Sequence, residues 1–436
     1  MQFRSTKSKM PLVSFKDAAL NCLPEDEGLF VPDQTADFRQ FFLHMDEKTS
    51  FNELVAAVAP SFFEGLLNPV SALKVAKNAF SFKPELIKLD DEYSLLNLFN
   101  GPTGVFKDFG IAFMSAVFEE ILEKDKPVMI ISAARPDTGV SMAHSLCGRK
   151  GISQVLLYPS GQINGLDPSA FIQNGGNIIP IQINGTFDDC QRLVIETIKD
   201  REFSERYNVT SGNSINPVRL FPQVFYYLYA FTQVKYFLGG DFFFSVPSGN
   251  FGNLLAGLYA WKFGMPVNGF IAAMNANNSM GDYILGKPFV PTPHINTNSP
   301  AMDVSIPLNY QRLASFYDEA PLVMRNMVYP ASVDDALTLK TMDYVKNKYD
   351  VFIDPHAAVA FAAAMKINST HKWNSNTHTI ILATGHPARF ADIVKKATGK
   401  AIKIPDFILA LQKKCEPIAV ISPHLDILEN AIASVL

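Results

Sequence analysis

Cysteine is scarce in this chain: four residues in 436, at Cys22, Cys147, Cys190 and Cys415, scattered with no CxxC pair. That spacing argues against a structural zinc site and against a disulfide framework. It fits buried free thiols of a reducing compartment, and no metal is expected. Charge is sparse too. Only 18% of residues are charged and the net charge is −4, which argues against a nucleic-acid binder with a broad basic surface. At 48% apolar the chain is globular, neither disordered nor fibrous. No long apolar stretch follows the charged N-terminus, so no secretory signal is expected. The most apolar segment, Leu220–Leu238, is broken by Gln223, Gln233 and Lys235. It reads as a buried helix, since a membrane span needs about 20 nearly uncharged apolar residues. A soluble, cytoplasmic protein without nucleic-acid or membrane partners is expected. The nucleotide-binding patterns GxxxxGK(S/T) and GxGxxG are also missing.

What is present is a phosphate cradle of another kind. Residues 242–254 read FFFSVPSGNFGNL: an apolar β-forming run, a turn rich in glycine and asparagine, then a helical pattern opening at Asn253. Gly249 and Gly252 allow close backbone approach and torsions that other residues avoid. The N–H groups of such a turn and of the first helical turn can converge on a dianion, aided by the helix dipole. A second island, Gly101-Pro102-Thr103-Gly104-Val105-Phe106-Lys107-Asp108-Phe109-Gly110, sets one lysine among aromatics at a helix entrance. A solvated helix-start lysine would rarely have such apolar neighbours. An amine desolvated there loses basicity and becomes a better nucleophile and base. A cradle plus a lysine suits a nucleotide enzyme or pyridoxal phosphate, whose aldehyde takes a lysine Schiff base, and the missing nucleotide motifs favour the second.

The first ninety residues carry short helical patterns, Phe51–Ala59 and Val70–Ala79, broken by prolines at 60, 69 and 84. Beyond Lys107, apolar runs (Val128–Ala133, Gln154–Tyr158, Asn177–Ile183, Phe242–Val246, Gly269–Met274, Thr379–Ala383) alternate with helical ones (Thr138–Gly148, Phe187–Asp200, Asn253–Phe263, Ala388–Ala397). The pattern predicts an α/β fold with parallel sheet covered on both faces, and ligands outside the carboxyl ends of the strands. The turns Ser248–Asn253, Thr384–Arg389 and Arg135–Gly139 all fall at such ends. Pro288–Pro300 reads as a long loop.

Taken in order, VSFKDAAL, CLPEDEGLFVP, LFNGPTGVFKDFG, NSIN, VPSGNFGN, AMDVSIP, DPHAAVA and ATGHPARF strongly resemble the threonine synthase family. That family belongs to the fold type II (tryptophan synthase β-like) pyridoxal phosphate enzymes. The resemblance runs nearly end to end. It implies two parallel-sheet α/β subdomains and a mainly helical N-terminal region. Residues 1–92 are expected to form that region and 93–436 the catalytic one, with a smaller subdomain at about 110–220. By resemblance, Lys107 carries the Schiff base, Gly249, Asn250, Phe251, Gly252 and Asn253 hold the cofactor phosphate, and Thr384 faces the pyridine nitrogen. The implied activity is that of a carbon–oxygen lyase of threonine biosynthesis acting on a phosphorylated amino acid: O-phospho-L-homoserine and water give L-threonine and phosphate. Asp137, Thr138 and Gly139 would face the substrate carboxylate, and Asn216, Arg219 and Arg389 are candidates for its phosphate.

One loop departs from the family. Where relatives read Thr-Ser-Gly-Asp-Thr-Gly, this chain has Ala134-Arg135-Pro136-Asp137-Thr138-Gly139. A small hydroxyl becomes a cation, and a glycine becomes a proline without an N–H. Arg135 then pairs with the substrate carboxylate, pairs with its phosphate, or blocks the pocket. The segment 164–169 also lacks the expected Gln/Lys pattern. Two other readings stand beside the first: a phospho-lyase acting on a related amino-alcohol phosphate, and a non-catalytic cofactor-binding paralogue. Retention of Lys107 and of the full GNFGN turn argues against the latter. His386 and His356 read as structural residues of a turn and a helix start, and Asn275, Asn277 and Asn278 as turn residues.

Overall fold

Short runs of Val, Ile, Phe and Ala that bury both faces form the centre of two sheets, as continuous apolar strands do in parallel sheet. The computed structural model describes residues 1–7, 10–63, 67–122, 126–160, 176–371, 373, 376–411 and 416–436. Cys415 and the segment 164–169 lie outside them. A small antiparallel sheet, β1 (Gln2–Ser5) between β2 (Val13–Ser14) and β3 (Phe30–Pro32), opens the chain. The larger sheet runs β12 (Val328–Ser332), β11 (Gly269–Met274), β10 (Phe242–Pro247), β13 (His378–Ala383), β5 (Tyr93–Asn97), β4 (Glu85–Lys88). All its pairs are parallel except β4 with β5. The smaller sheet is wholly parallel: β14 (Ala419–Ile421), β8 (Ile178–Ile183), β7 (Ile152–Pro159), β6 (Val128–Ala133), β9 (Val209–Ser211). Every residue of β5, β6, β10, β11 and β13 is buried.

All six strands expected from the sequence are present, with ends shifted by at most two residues. The strands β1–β5, β9, β12 and β14 were not anticipated, the antiparallel β4 and the C-terminal β14 among them. β4 carries residues 85–88, from before position 92, into the large sheet, and β14 completes the small sheet from far beyond position 220. Pro60 does not break the first helical pattern as expected. It sits inside the helix Phe51–Phe62, in the last turn, so it forfeits the single bond of its missing N–H and the helix runs on only two residues beyond it. Pro69 opens the helix Pro69–Ala79, capped by Asn68, because its missing N–H would have no partner there.

The N-terminal helices share one apolar core with the helix Lys107–Ile121 and the helix Val224–Val234. Phenylalanines supply much of it. Phe63 stacks on Phe113 at 5.3 Å between ring centroids, and Phe51 meets Phe109 edge-on at 5.6 Å. The segment read as a buried helix, Leu220–Leu238, holds one at Val224–Val234 with exposed Tyr236 and Phe237 beyond its end, and among the described residues no helix is long and apolar enough to cross a membrane.

The lysine-bearing helix is fixed at close range. A Cβ on Gly110 would lie 2.5 Å from the Arg219 carbonyl oxygen, so only glycine lets helix and turn meet. Alanine is favoured over glycine in a helix by about 1 kcal/mol, whereas overpacking costs about 1–3 kcal/mol. Packing wins here, and Gly110→Ala is expected to destabilise the protein by about 1–2 kcal/mol. The urea midpoint reads the effect; a midpoint that stayed level or rose would refute the close approach.

Candidate active site

Four strand ends converge. The loop after β5 leads to Lys107; the turn after β13 carries Thr384; the turn after β10 is the Gly249–Asn253 cradle; and β6 ends at Arg135. Neighbouring backbones tie the first two together. Phe106 N–H donates to the Thr384 carbonyl at 2.9 Å, His386 N–H donates to the Gly104 carbonyl at 2.8 Å, and Val105 bridges Gly385. Asp108, fully buried, accepts from Thr103 N–H at 2.9 Å and from the Thr103 and Ser141 hydroxyls at 2.6 Å each. It thereby closes the lysine loop and fastens it to the helix Pro136–Leu146.

One cavity is lined by Lys107, Arg135, Thr138, Arg219, Gly249, Asn250, Phe251, Gly252, Asn253 and Thr384, together with Phe187, Ser214 and His356. Its charges are mostly positive. Burial depresses the basicity of the Lys107 amine; the Asp137 carboxylate counters this, and the Arg219 and Arg135 cations reinforce it. Lys107 Nζ lies 3.4 Å from Asp137 Oδ2. Burial would raise the Asp137 carboxyl, but Lys107 and Arg389 outweigh it and hold the group well below the usual carboxylate range.

The cradle is built from backbone. Phe251 takes a left-handed φ of 59°, and the helix Gly252–Lys262 follows without a side-chain cap. The first-turn N–H groups of that helix have no intrahelical acceptor, and Gly252 and Asn253 line the cavity. A Cβ on Gly249 would stand 2.8 Å from Met302 Cα, so the turn Pro300–Met302 seats directly on the cradle. Asn250 Oδ1 accepts from Leu308 N–H at 3.0 Å, and Asn309 Nδ2 donates to the Asn250 carbonyl and the Ser214 hydroxyl, each at 3.0 Å. Asn253 Oδ1 accepts from the hydroxyls of Tyr226 and Tyr227 at 2.6 and 2.8 Å, while its buried Nδ2 has no protein partner.

Residues 87–385 match the family described as pyridoxal-phosphate dependent enzyme, residues 2–80 the threonine synthase N terminus, and residues 357–432 the threonine synthase C-terminal region. A threonine synthase of Serratia marcescens is 35% identical over 410 residues, covering 93% of this chain and 92% of the relative. The crystal structure of threonine synthase from Escherichia coli superposes with a TM-score of 0.90 at 30% identity, over 100% of both chains. That of PLP-bound threonine synthase from Brucella melitensis gives 0.88 at 27%, over 100% of this chain and 99% of its own. The chain belongs to the threonine synthase family. It is a pyridoxal-phosphate-dependent enzyme of fold type II.

The residues present fit that cofactor: a buried amine, a backbone cradle with uncommitted helix N–H groups, an orphaned Asn253 amide and the Thr384 hydroxyl surround one space. Other threonine synthase candidates land elsewhere. Asn216 lies outside the cavity lining; it caps the helix Pro217–Leu220, and its Nδ2 donates to the Ala19 and Ser211 carbonyls and the Thr210 hydroxyl. Arg389 lies outside as well, donating to the Thr103 carbonyl at 2.9 Å and to Asp137 Oδ1 at 2.7 Å. Gly139 N–H is spent inside its helix, on the Arg135 carbonyl. The Arg135 guanidinium faces backbone carbonyls of Pro300 and Asp303. Sequence reasoning missed Asp108, Ser214, Asn309 and Arg312. Asp108 could have been suspected from its place beside the lysine. Fully buried Arg312 could not, since its donors meet Phe30, Ser214, Ile215 and Asn309, which come from three separate segments. His386 accepts Ala388 N–H at 3.1 Å, as a turn residue does.

The carboxylate beside the amine gives a signed test. Asp137 is the group that holds the Lys107 amine up against burial and two arginines. In cofactor-free protein, Lys107 is expected to react with an amine-directed reagent at a lower pH midpoint than ordinary lysines. Asp137→Asn should move that midpoint lower still. An upward move would reverse the assignment of the carboxylate.

Proposed function

We propose that this enzyme converts O-phospho-L-homoserine and water to L-threonine and phosphate, with Lys107 as its catalytic base and covalent anchor. The observation that carries the reading is that the Lys107 amine and the Gly249–Asn253 turn, far apart in sequence, line one cavity. When bound, pyridoxal phosphate supplies an electron sink conjugated to the substrate amine. Gly249, Asn250, Phe251, Gly252 and Asn253 would hold its phosphate through backbone N–H groups, and Asn253 Nδ2 adds a donor. Thr384 would meet the ring nitrogen with a neutral hydroxyl, which does not stabilise a protonated ring as a carboxylate would.

The Lys107 amine, depressed by burial, is unprotonated more often than an exposed lysine and can take the proton at the substrate α-carbon. It would also serve the later transfers at the β-carbon. Asp137 Oδ2 restrains Nζ, and Arg389 holds Asp137 in turn, so Asp137 and Arg389 orient the base and do not bind substrate. Thr138 and the N-terminus of the helix Pro136–Leu146 would receive the substrate carboxylate. Arg219 would receive the substrate phosphate, since it lines the cavity, is nearly buried, and donates through Nη1 to the Gly212 carbonyl. The matches to both terminal threonine synthase regions favour hydration over bare elimination. Division into an N-terminal region 1–92 and a catalytic region 93–436 completes the proposal, and a cytoplasmic location is supported by the buried thiols of Cys22 and Cys190.

Phosphate and threonine released from O-phospho-L-homoserine, measured separately, test the reaction: equal amounts are expected, and phosphate without threonine would overturn it. Lys107→Ala should abolish turnover and the near-visible absorbance of the purified enzyme. Arg219→Lys, which loses the planar fork, is expected to raise KM by about tenfold or more. A KM left unchanged would remove Arg219 from the phosphate site.

A further inference from the structure

Arg135 stands at the carboxyl end of β6, in the small sheet, yet its guanidinium reaches across to the other sheet's side of the cavity. Two nitrogens are engaged there: Nη1 with the Pro300 carbonyl, and Nη2 with the Asp303 carbonyl at 2.7 Å. These carbonyls sit at the two ends of one short turn, Pro300–Met302. On its other side the guanidinium lies 4.5 Å from the centroid of the Phe187 ring, at the start of the helix Phe187–Lys199. The cation is therefore fixed on two faces by groups belonging to different elements.

The turn it grips is itself rigidly placed. Ala301 N–H donates to His356 Nε2 at 3.2 Å, and His356 Nδ1 meets Asp354 Oδ2 at 2.6 Å. Asp303 Oδ1 accepts from Asn275, Asn277 and the Thr297 hydroxyl, so the chain leaving the turn is bound to the residues that follow β11. Below, the turn rests on Gly249 with no room for a methyl group. A rigid turn on the cradle, held by a side chain from the opposite sheet, couples the two halves of the site.

We propose that Arg135 is a positioning residue: a latch that fastens the small sheet to the turn covering the cradle and so sets substrate affinity. Its planar fork offers one nitrogen to each carbonyl in a fixed geometry, which a compact ammonium on a flexible stem does not reproduce. The claim about affinity rests on the reaction proposed above; the latch itself does not. With the latch in place the cavity walls are pre-assembled, and without it each binding event must also draw them together. Such a deficit lowers apparent affinity in proportion to the competent fraction and leaves the bound complex little altered.

Holoenzymes of the wild type, Arg135→Lys and Arg135→Ala test this by two readouts. One is cleavage in the 288–300 loop by a protease of broad specificity; the other is kcat and KM for O-phospho-L-homoserine. Both variants are expected to retain the cofactor absorbance, to be cut several-fold faster in the loop, and to show KM raised on the order of tenfold with kcat changed by less than about threefold. Wild-type KM and protease resistance in Arg135→Lys would overturn the latch. So would a raised KM in Arg135→Ala alone with cleavage unchanged, the pattern of direct pairing with a substrate anion. If both variants misfold, Phe187→Leu removes only the ring contact, and cleavage at the wild-type rate would then count against the proposal. Failure of the wild type to make threonine sinks the reaction and not the latch, because cleavage is read without turnover.

Discussion

An amine buried beside two guanidinium groups is the constraint on which the site depends. Burial and the two cations work against a charged Lys107, and Asp137, 3.4 Å away, opposes them. The carboxylate is itself kept ionised and aimed by Arg389, which in turn holds the Thr103 carbonyl of the lysine loop. The circuit closes on itself: loop, carboxylate and arginine come from three strand ends in both sheets. Each member is meaningful only because the next one is present. What remains after this internal pairing is a cavity with cations in excess of carboxylates, which favours ligands that bring phosphate and carboxylate groups.

The cradle works on the opposite principle, since it carries no charged side chain of its own. Phe251 in the left-handed region costs roughly 1–2 kcal/mol, and the turn keeps that conformation because its surroundings leave no alternative. Met302 presses on Gly249, Asn309 ties Asn250 to Ser214, and fully buried Arg312 ties Asn309 to the N-terminal strand at Phe30. A backbone cradle held from outside can accept a dianion without rearranging. The N-terminal sheet is thereby part of the site's support, although none of its residues lines the cavity.

Much of this was readable from the chain, and the reason is locality. A strand buried on both faces is mostly apolar, so the long runs of β6, β7, β8, β10, β11 and β13 announce themselves. A phosphate turn needs glycine at fixed places between a strand and a helix, and an activated lysine needs apolar neighbours. Those requirements fit within about ten residues each. The later strands that were missed are short, lie at edges or carry polar residues: β4 reads ELIK, β5 YSLLN, β9 VTS, β12 VYPAS and β14 AVI. Their apolar content is too small to tell from a loop, and partners fix them. Pro60 misled because position within a helix, and not residue type, decides whether a proline breaks it.

The arginines show where locality ends. Arg135, Arg219, Arg312 and Arg389 are alike on paper, each near a motif and each able to bind phosphate. In the fold their donors are allotted differently. Arg312 is consumed by four backbone and side-chain acceptors, Arg389 by a carbonyl and a carboxylate, and Arg135 by two carbonyls of one turn. Arg219 alone combines a place in the cavity wall with a single hydrogen bond to the protein, at Gly212, and burial drops its basicity to about 10. A guanidinium stripped of water and engaged at one nitrogen gains most from an incoming anion, because desolvation has already been suffered and its partner is still to arrive. That difference in unfinished bonding, invisible in the sequence, singles out Arg219 among four chemically identical side chains.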